Sequence, residues 1–263
     1  MNGRMTQYRR ENQDVWNEWS EDFQALWNAN TVDGEPPPTP SPFAPDAPGD
    51  VRDRVVDTVE GKAYVELGCG GGQGSVGTAA LGANPVVGID FSDEQLAHAR
   101  HLRDWSGVDA TFLQADVTSL PFGSDTFDLA SSEWVFQMVD HLDSALSETR
   151  RVLRDGGVFV LSVPHPLYEA IEADTGTLER SYYDTGPREI TIDEGYDSSM
   201  IAFDRTVAAL HNALVDAGFD VRRLIEHQRP EVESNDPDES ELPSILWKIP
   251  QSVRFCAVAV DRV

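Results

Sequence analysis

The chain has 263 residues, with 46 acids against 20 bases, a formal net charge of −26 and a sequence pI near 4.3. That length suits one large α/β domain with a well-buried core, and no basic patch stands out for a nucleic-acid partner. Two cysteines, Cys69 and Cys256, speak against a disulfide framework and for a reducing interior, and no apolar stretch approaches the ~20 residues of a membrane helix.

Met1 to Arg10 is polar and has no apolar signal-peptide segment, so a soluble, cytoplasmic protein is expected. Lys62 and Lys248 are the only lysines, and the acids are spread along the whole chain. So large a charge repels itself in a compact domain unless salt screens it. The pattern is that of a halophile-type acidic surface, which describes the solvent more than the substrate.

In chain order, the first element is an amphipathic helix over about 11–29. Val15, Trp16, Trp19, Phe23, Leu26 and Trp27 recur at three- and four-residue steps. Such a stripe either packs on the domain or forms a lid over a ligand. Residues 31–50 carry seven prolines and read as an extended strap, so 1–50 is expected to be separate from a main domain at 51–263. Helices and strands then alternate. A helix at 51–59 is followed by a strand at 63–67, a helix at 74–83 and a strand at 86–89. Ser92 is placed to cap the next helix, with Asp93 and Glu94 in its first turn, and that helix runs to about 105. Strands follow at 111–114 and 127–130. A helix at 142–153 stops at Asp155-Gly156-Gly157 before a strand at 158–163.

The rhythm breaks over 164–200, a segment holding His165, Tyr168, Tyr182, Tyr183 and Tyr196 that is expected to be a substrate-pocket insertion. A helix at 202–217, stopped by Gly218, and strands at 221–225 and 253–260 complete the chain, with an acidic surface loop at 231–241. The regular βαβα order predicts a doubly wound, mostly parallel seven-stranded sheet with right-handed crossovers.

In such a sheet ligands sit beyond the carboxyl ends of the strands. The first loop reads Glu66-Leu67-Gly68-Cys69-Gly70-Gly71-Gly72. A literal G-x-G-x-x-G exists at Gly72, Gly74 and Gly77, but four residues separate it from Leu67, too many for the tight turn after the strand. The frame Glu66-x-Gly68-x-Gly70 fits the strand end. A carboxylate there suits a cofactor with an ammonium group and repels a pyrophosphate. The second loop carries Asp90, placed for ribose hydroxyls, and Phe91, which can cover an adenine face. The third carries Asp116 and Val117, where a carboxylate can accept from an adenine amino group or cap a turn.

Glu66-x-Gly68-x-Gly70, then Asp90, then Asp116 followed by Leu120-Pro121-Phe122 and Phe127-Asp128, resembles the class I S-adenosylmethionine-dependent methyltransferases. The nearest branch is the small-molecule one that includes ubiquinone/menaquinone-biosynthesis C-methyltransferases, and Arg151 to Gly157 resembles its turn into strand five. The resemblance spans about 51–163. It implies a Rossmann-like methyltransferase fold, S-adenosylmethionine as cofactor, a small-molecule acceptor and no metal. It further implies that Glu66, Gly68 and Gly70 hold the methionine part, and that Asp90 binds the ribose with Phe91 beside the adenine. Asp116 and Val117 would then meet the adenine edge, with Ser131 and Ser132 near the transferred methyl. Ser132-Glu133-Trp134 lacks the Asn/Asp-Pro-Pro-Tyr/Phe motif of amino-methylating DNA and glutamine enzymes. His165, at the end of strand five, is a candidate base or a structural residue between Pro164 and Pro166. His141 and Tyr168 are further candidates. The alternatives are an NAD(P)-dependent oxidoreductase and a non-catalytic S-adenosylmethionine-binding protein.

Overall fold

The computed structural model describes residues 2–29, 31, 36–37, 39–44, 56–191, 199–228 and 243–260. In chain order it has α1 (Asn2–Asn28), β1 (Tyr64–Leu67), α2 (Gln73–Ala80), β2 (Val86–Asp90), α3 (Asp93–Ser106), β3 (Thr111–Gln114) and β4 (Phe127–Glu133). A 3-10 turn (Phe136–Met138) leads to α4 (Leu142–Val152), β5 (Leu153–Pro164) and the short α5 (Pro166–Glu169). The remaining elements are β6 (Gly186–Ile190), β7 (Met200–Asp204), α6 (Val207–Asp216), β8 (Phe219–Gln228) and β9 (Pro250–Ala259).

Seven strands form one sheet in the order β3-β2-β1-β4-β5-β9-β8, and β6 pairs with β7 in a separate hairpin. The first five strands are mutually parallel, while β9 runs antiparallel between β5 and β8. The strand order reverses between β1 and β4, which opens a crevice at their carboxyl ends.

Alternation along the strands divides the apolar side chains between two cores, one on each face. Val65 and Leu67 join Ile89, Phe159 and Leu161, together with Leu146 of α4 and Leu210 and Leu214 of α6. Tyr64 joins Val86, Val158 and Val160, together with Val76 of α2 and Leu96, Ala99 and Leu102 of α3. Phe43 of the proline-rich strap enters this second core with no exposed surface and stacks edge-on against Tyr64, centroids 5.8 Å apart. The strap is thus pinned to the sheet. Among the described residues, no helix is long and apolar enough to cross a membrane.

Several expected boundaries move. The first helix begins at Asn2 rather than near residue 11. Of the helix expected at 51–59, residues 51–55 lie outside the described residues and 56–59 are not helical. The helix expected at 202–217 starts at Val207, because Thr206 caps it by accepting from Ala209 N and the preceding residues pair in the β6–β7 hairpin. The Asp155-Gly156-Gly157 stop lies inside β5, in an irregular pairing with β4. Leu153 already leaves α4 in an extended conformation. The acidic loop expected at 231–241, and Tyr196, lie outside the described residues.

Candidate functional site

A cavity of about 1060 Å³ opens at the carboxyl ends of β1, β2, β3 and β4 and is roofed by α1. Its floor includes Glu66, Gly68, Gly70, Asp90, Phe91, Asp116 and Val117, so seven of the residues expected at the site share one wall.

Glu66 ends up buried because β1 is interior to the sheet. Its Oε2 accepts from Ser75 Oγ at 2.5 Å, and its Oε1 lies so close to Gly74 that any side chain there would collide with it. Burial pushes its carboxyl up to about 8, helped by the negative charges of Glu133 and Asp90. Asp90, one strand over, accepts from Gly70 N at 2.8 Å and Ser92 N at 2.9 Å. Burial pushes it up to about 6 despite those bonds. Two buried carboxylates held partly protonated form a wall short of positive charge. A ligand ammonium facing Glu66 relieves that, whereas a pyrophosphate worsens it. The donor set therefore fits S-adenosylmethionine and does not fit a dinucleotide.

Asp116 accepts from Thr118 N at 2.9 Å through one oxygen and pairs with Arg9 of α1 at 3.0 Å through the other. Phe91 O accepts from Gln13 Nε2 at 2.5 Å and Gln114 Nε2 at 2.9 Å. Ser92 caps α3 as expected, accepting from Gln95 N at 3.1 Å, and its own hydroxyl donates to Asn17 Oδ1 at 2.7 Å. Arg9, Gln13 and Asn17 recur at four-residue steps, so one face of α1 is clasped to the loops after β2 and β3. Trp16, Trp19, Phe23 and Trp27 of the apolar stripe line the cavity, whereas Val15 is buried away from it and Leu26 is exposed. Trp16, Trp19 and Phe23 pack on one another with centroids 5.0–5.4 Å apart, and Trp16 Nε1 donates to Met138 Sδ at 3.1 Å.

Three expected residues lie elsewhere. Ser131 and Ser132 are fully buried within β4 and do not line the cavity. Ser131 Oγ bonds Tyr64 OH at 2.6 Å, and Ser132 Oγ donates to Leu67 O at 2.7 Å. With their hydroxyls satisfied, both are tolerated inside the sheet, and the strand continues to Glu133. His165 is also buried and absent from the cavity wall. Its Nδ1 accepts from Leu167 N at 3.1 Å, capping α5, and its Nε2 lies 3.0 Å from Glu226 Oε1. Burial lowers its pKa. Both ring nitrogens are engaged by these partners, so the ring that was expected as a candidate base does not reach the cavity in this structure. Tyr168 is likewise off the wall, whereas His141 is on it.

Sequence reasoning missed Glu133, Trp134 and Arg254. Arg254 Nη2 pairs with Glu133 Oε1 at 2.8 Å, and its Nε donates to Ser162 Oγ at 2.8 Å. Ser162 and Arg254 are opposed in the β5–β9 pairing, so the contact exists only once the antiparallel strand has docked.

A methyltransferase-domain family model matches residues 65–161. A fatty-acid O-methyltransferase of Mycolicibacterium smegmatis is 27% identical over 60% of this chain and 58% of its own. A demethylmenaquinone methyltransferase of Clavibacter sepedonicus is 38% identical over 41% of this chain and 43% of its own. The chain spans about half the length of such curated relatives. Among solved structures, an S-adenosylmethionine-dependent methyltransferase from Mesorhizobium loti aligns with a TM-score of 0.62 at 28% identity, covering 76% of this chain and 92% of that one.

Proposed function

We propose that this chain, a member of the class I S-adenosylmethionine-dependent methyltransferases, transfers a methyl group to a small, largely apolar or aromatic acceptor held between α1 and the carboxyl ends of the parallel strands. The observation that carries this reading is Glu66, a buried carboxyl on the cavity floor that needs a cation, with Asp90 one strand away.

Bound there, S-adenosylmethionine supplies a methyl already activated on a sulfonium. The residues' task is then positioning and the exclusion of water. Glu66 would take the ammonium, and Gly68 and Gly70 would let the backbone approach it. Asp90 would accept from ribose hydroxyls. Phe91 would cover the adenine, and Asp116 and Val117 would meet its edge. Trp16, Trp19 and Phe23 would hold the acceptor and keep water out, with α1 acting as a lid. If the acceptor's nucleophile carries a proton, a ring nitrogen of His141 is the cavity group suited to take it.

The acceptor class rests on the aromatic stripe of α1, and it agrees in character with the fatty-acid and demethylmenaquinone relatives. The acid excess supports a working environment of high salt. Calorimetry in 2 M KCl with S-adenosylhomocysteine and with NADH tests the cofactor. Binding of the first alone is expected, and binding of NADH alone would overturn the reading.

A further inference from the structure

We propose that the methyl acceptor carries an uncharged apolar tail that seats in a second cavity behind Trp134, and that Trp134 determines which tails pass. The proposal rests on reading the larger cavity as the site of cofactor and acceptor, and it names the part of the acceptor that lies beyond that cavity.

The second cavity, of about 220 Å³, lies between the end of β5, α5 and the β6–β7 hairpin. Pairing in the hairpin sets Arg188 opposite Ala202 and Ile190 opposite Met200, so these four residues share one face, and that face forms one wall. Val163 and Pro164 of β5, Pro166 of α5 and Leu210 of α6 form the rest of the apolar lining. Trp134, Gln137 and Met200 border both cavities, so the two chambers meet at these three side chains.

The charged side chains of the second cavity are already engaged. Arg188 pairs with Glu169 at 2.5 Å and with Asp204 at 3.2 Å, and Asp204 also pairs with Arg180. Arg205 donates to Phe136 O at 3.0 Å and to Val139 O at 2.5 Å. A charged ligand group would have to break into these contacts, whereas an apolar one leaves them whole and gains from the remaining lining. For scale, an apolar cavity of about 150 Å³ holds one benzene ring. The space therefore suits a short alkyl chain or a single ring.

Trp134 has the marks of a residue kept for a ligand. Its φ of 59° is left-handed, a conformation that disfavours bulky side chains. Its N–H donates to Ser162 O at 2.9 Å and its carbonyl accepts from Gln137 Nε2 at 2.7 Å, which together hold the backbone there. The residue is 46% exposed, so burial in a core does not explain the ring. Glycine would suit this backbone better, and what tryptophan adds is an aromatic surface at the junction of the two cavities. Strained residues of this kind cluster at ligand clamps and active sites.

The test uses the whole chain in 2 M KCl, saturated with S-adenosylhomocysteine and titrated calorimetrically with 4-methylphenol, 4-propylphenol and 4-pentylphenol. These probes share one hydroxyl head and differ only in the tail. In the wild type each added methylene should tighten binding by about fourfold until the cavity fills. Ile190→Trp fills the second cavity from a position that does not line the larger one. It should remove most of that gain while leaving S-adenosylhomocysteine and 4-methylphenol within about twofold of wild type, as expected of an independent site. Ala202→Leu narrows the same cavity and carries the test should Ile190→Trp fail to fold. Trp134→Gly keeps the left-handed backbone and removes the partition. Wild type should prefer 4-pentylphenol to the branched 4-tert-pentylphenol by about tenfold, and Trp134→Gly should bring the two within about threefold. A chain-length gain that survives filling of the second cavity, no gain in the wild type, or a branching preference unchanged in Trp134→Gly would overturn the proposal. Failure of the wild type to bind S-adenosylhomocysteine would instead overturn the cofactor reading beneath it.

Discussion

Binding of S-adenosylhomocysteine should depend steeply on pH, and Glu66 is the reason. In the ligand-free protein its carboxyl is pushed up to about 8 by burial and by the charges of Glu133 and Asp90. The ligand ammonium stabilises the ionised form, so binding below pH 8 must expel a proton. The ionised fraction is about one half at pH 8 and about one hundredth at pH 6, which makes the ligand bind about 50-fold more weakly at pH 6. That is a little over 2 kcal/mol, at ~1.4 kcal/mol per tenfold. Below about pH 6 the slope should steepen as Asp90 also takes a proton. Above about 8 the ligand's own α-amino group begins to lose its charge, so affinity should peak near there. Calorimetry at pH 6, 7 and 8, each in two buffers of different ionisation enthalpy, reads both the affinity and the proton released, about one per ligand at pH 7. Glu66→Gln should bind weakly and lose most of the slope between pH 6 and 8. A wild-type affinity that is flat across this range, or a variant with the same slope, would refute the assignment of the ammonium to Glu66.

The same substitution should act oppositely on stability. The folded-state value of Glu66 is raised above its unfolded 4.5, so folding takes up a proton between about 4.5 and 8 and ligand-free stability falls as pH rises through that window. Glu66→Gln should therefore raise the ligand-free melting temperature at pH 8, by about 2–4 °C for each kcal/mol relieved, and a melting curve that falls instead would count against the charge burial. Phe43→Ala should cost about 3–5 kcal/mol, because a fully buried ring stacked on Tyr64 is removed from the second core, and denaturant titration reads it. His165→Ala should leave S-adenosylhomocysteine affinity within about twofold while costing roughly 1 kcal/mol for the lost cap, a cofactor defect being the contrary result. Melting temperature should climb from 0.1 to 3 M KCl as the net charge of −26 is screened, and a flat profile would remove the halophile interpretation.

What could be read beforehand follows from which interactions are local. Glu66, Asp90 and Asp116 each lie at or just after the end of a short strand, and the order of a parallel sheet brings those ends to one edge without further information. Ser131 and Ser132 were expected beyond the strand because the apolar run stops at Ala130, but the strand continues on hydroxyls that bond to Tyr64 and Leu67, partners 65 to 67 residues away. His165 was placed at the right strand end but not on the crevice. Its ring follows the α5 turn toward Glu226 of β8, and no local pattern encodes that. The hairpin of β6 and β7 carries Pro187 and charged residues among its apolar positions, so neither period shows, and only pairing with its partner strand and Asn12 of α1 defines it. Arg254 is invisible for a related reason, since its register against Ser162 belongs to an antiparallel pair formed across ninety-two residues.

The helical stripe of α1 lay between these extremes. Its periodicity predicts the helix and its apolar face, whereas the polar face beside that stripe, carrying Arg9, Gln13, Asn17 and Gln24, makes the contacts to the loops around the site. An amphipathic helix over a polar site inverts the usual assignment, because the apolar face borders a ligand cavity and the polar face does the docking. Amides and a guanidinium at four- and seven-residue steps, on a helix whose apolar face is unusually aromatic, are the local signal for that inversion.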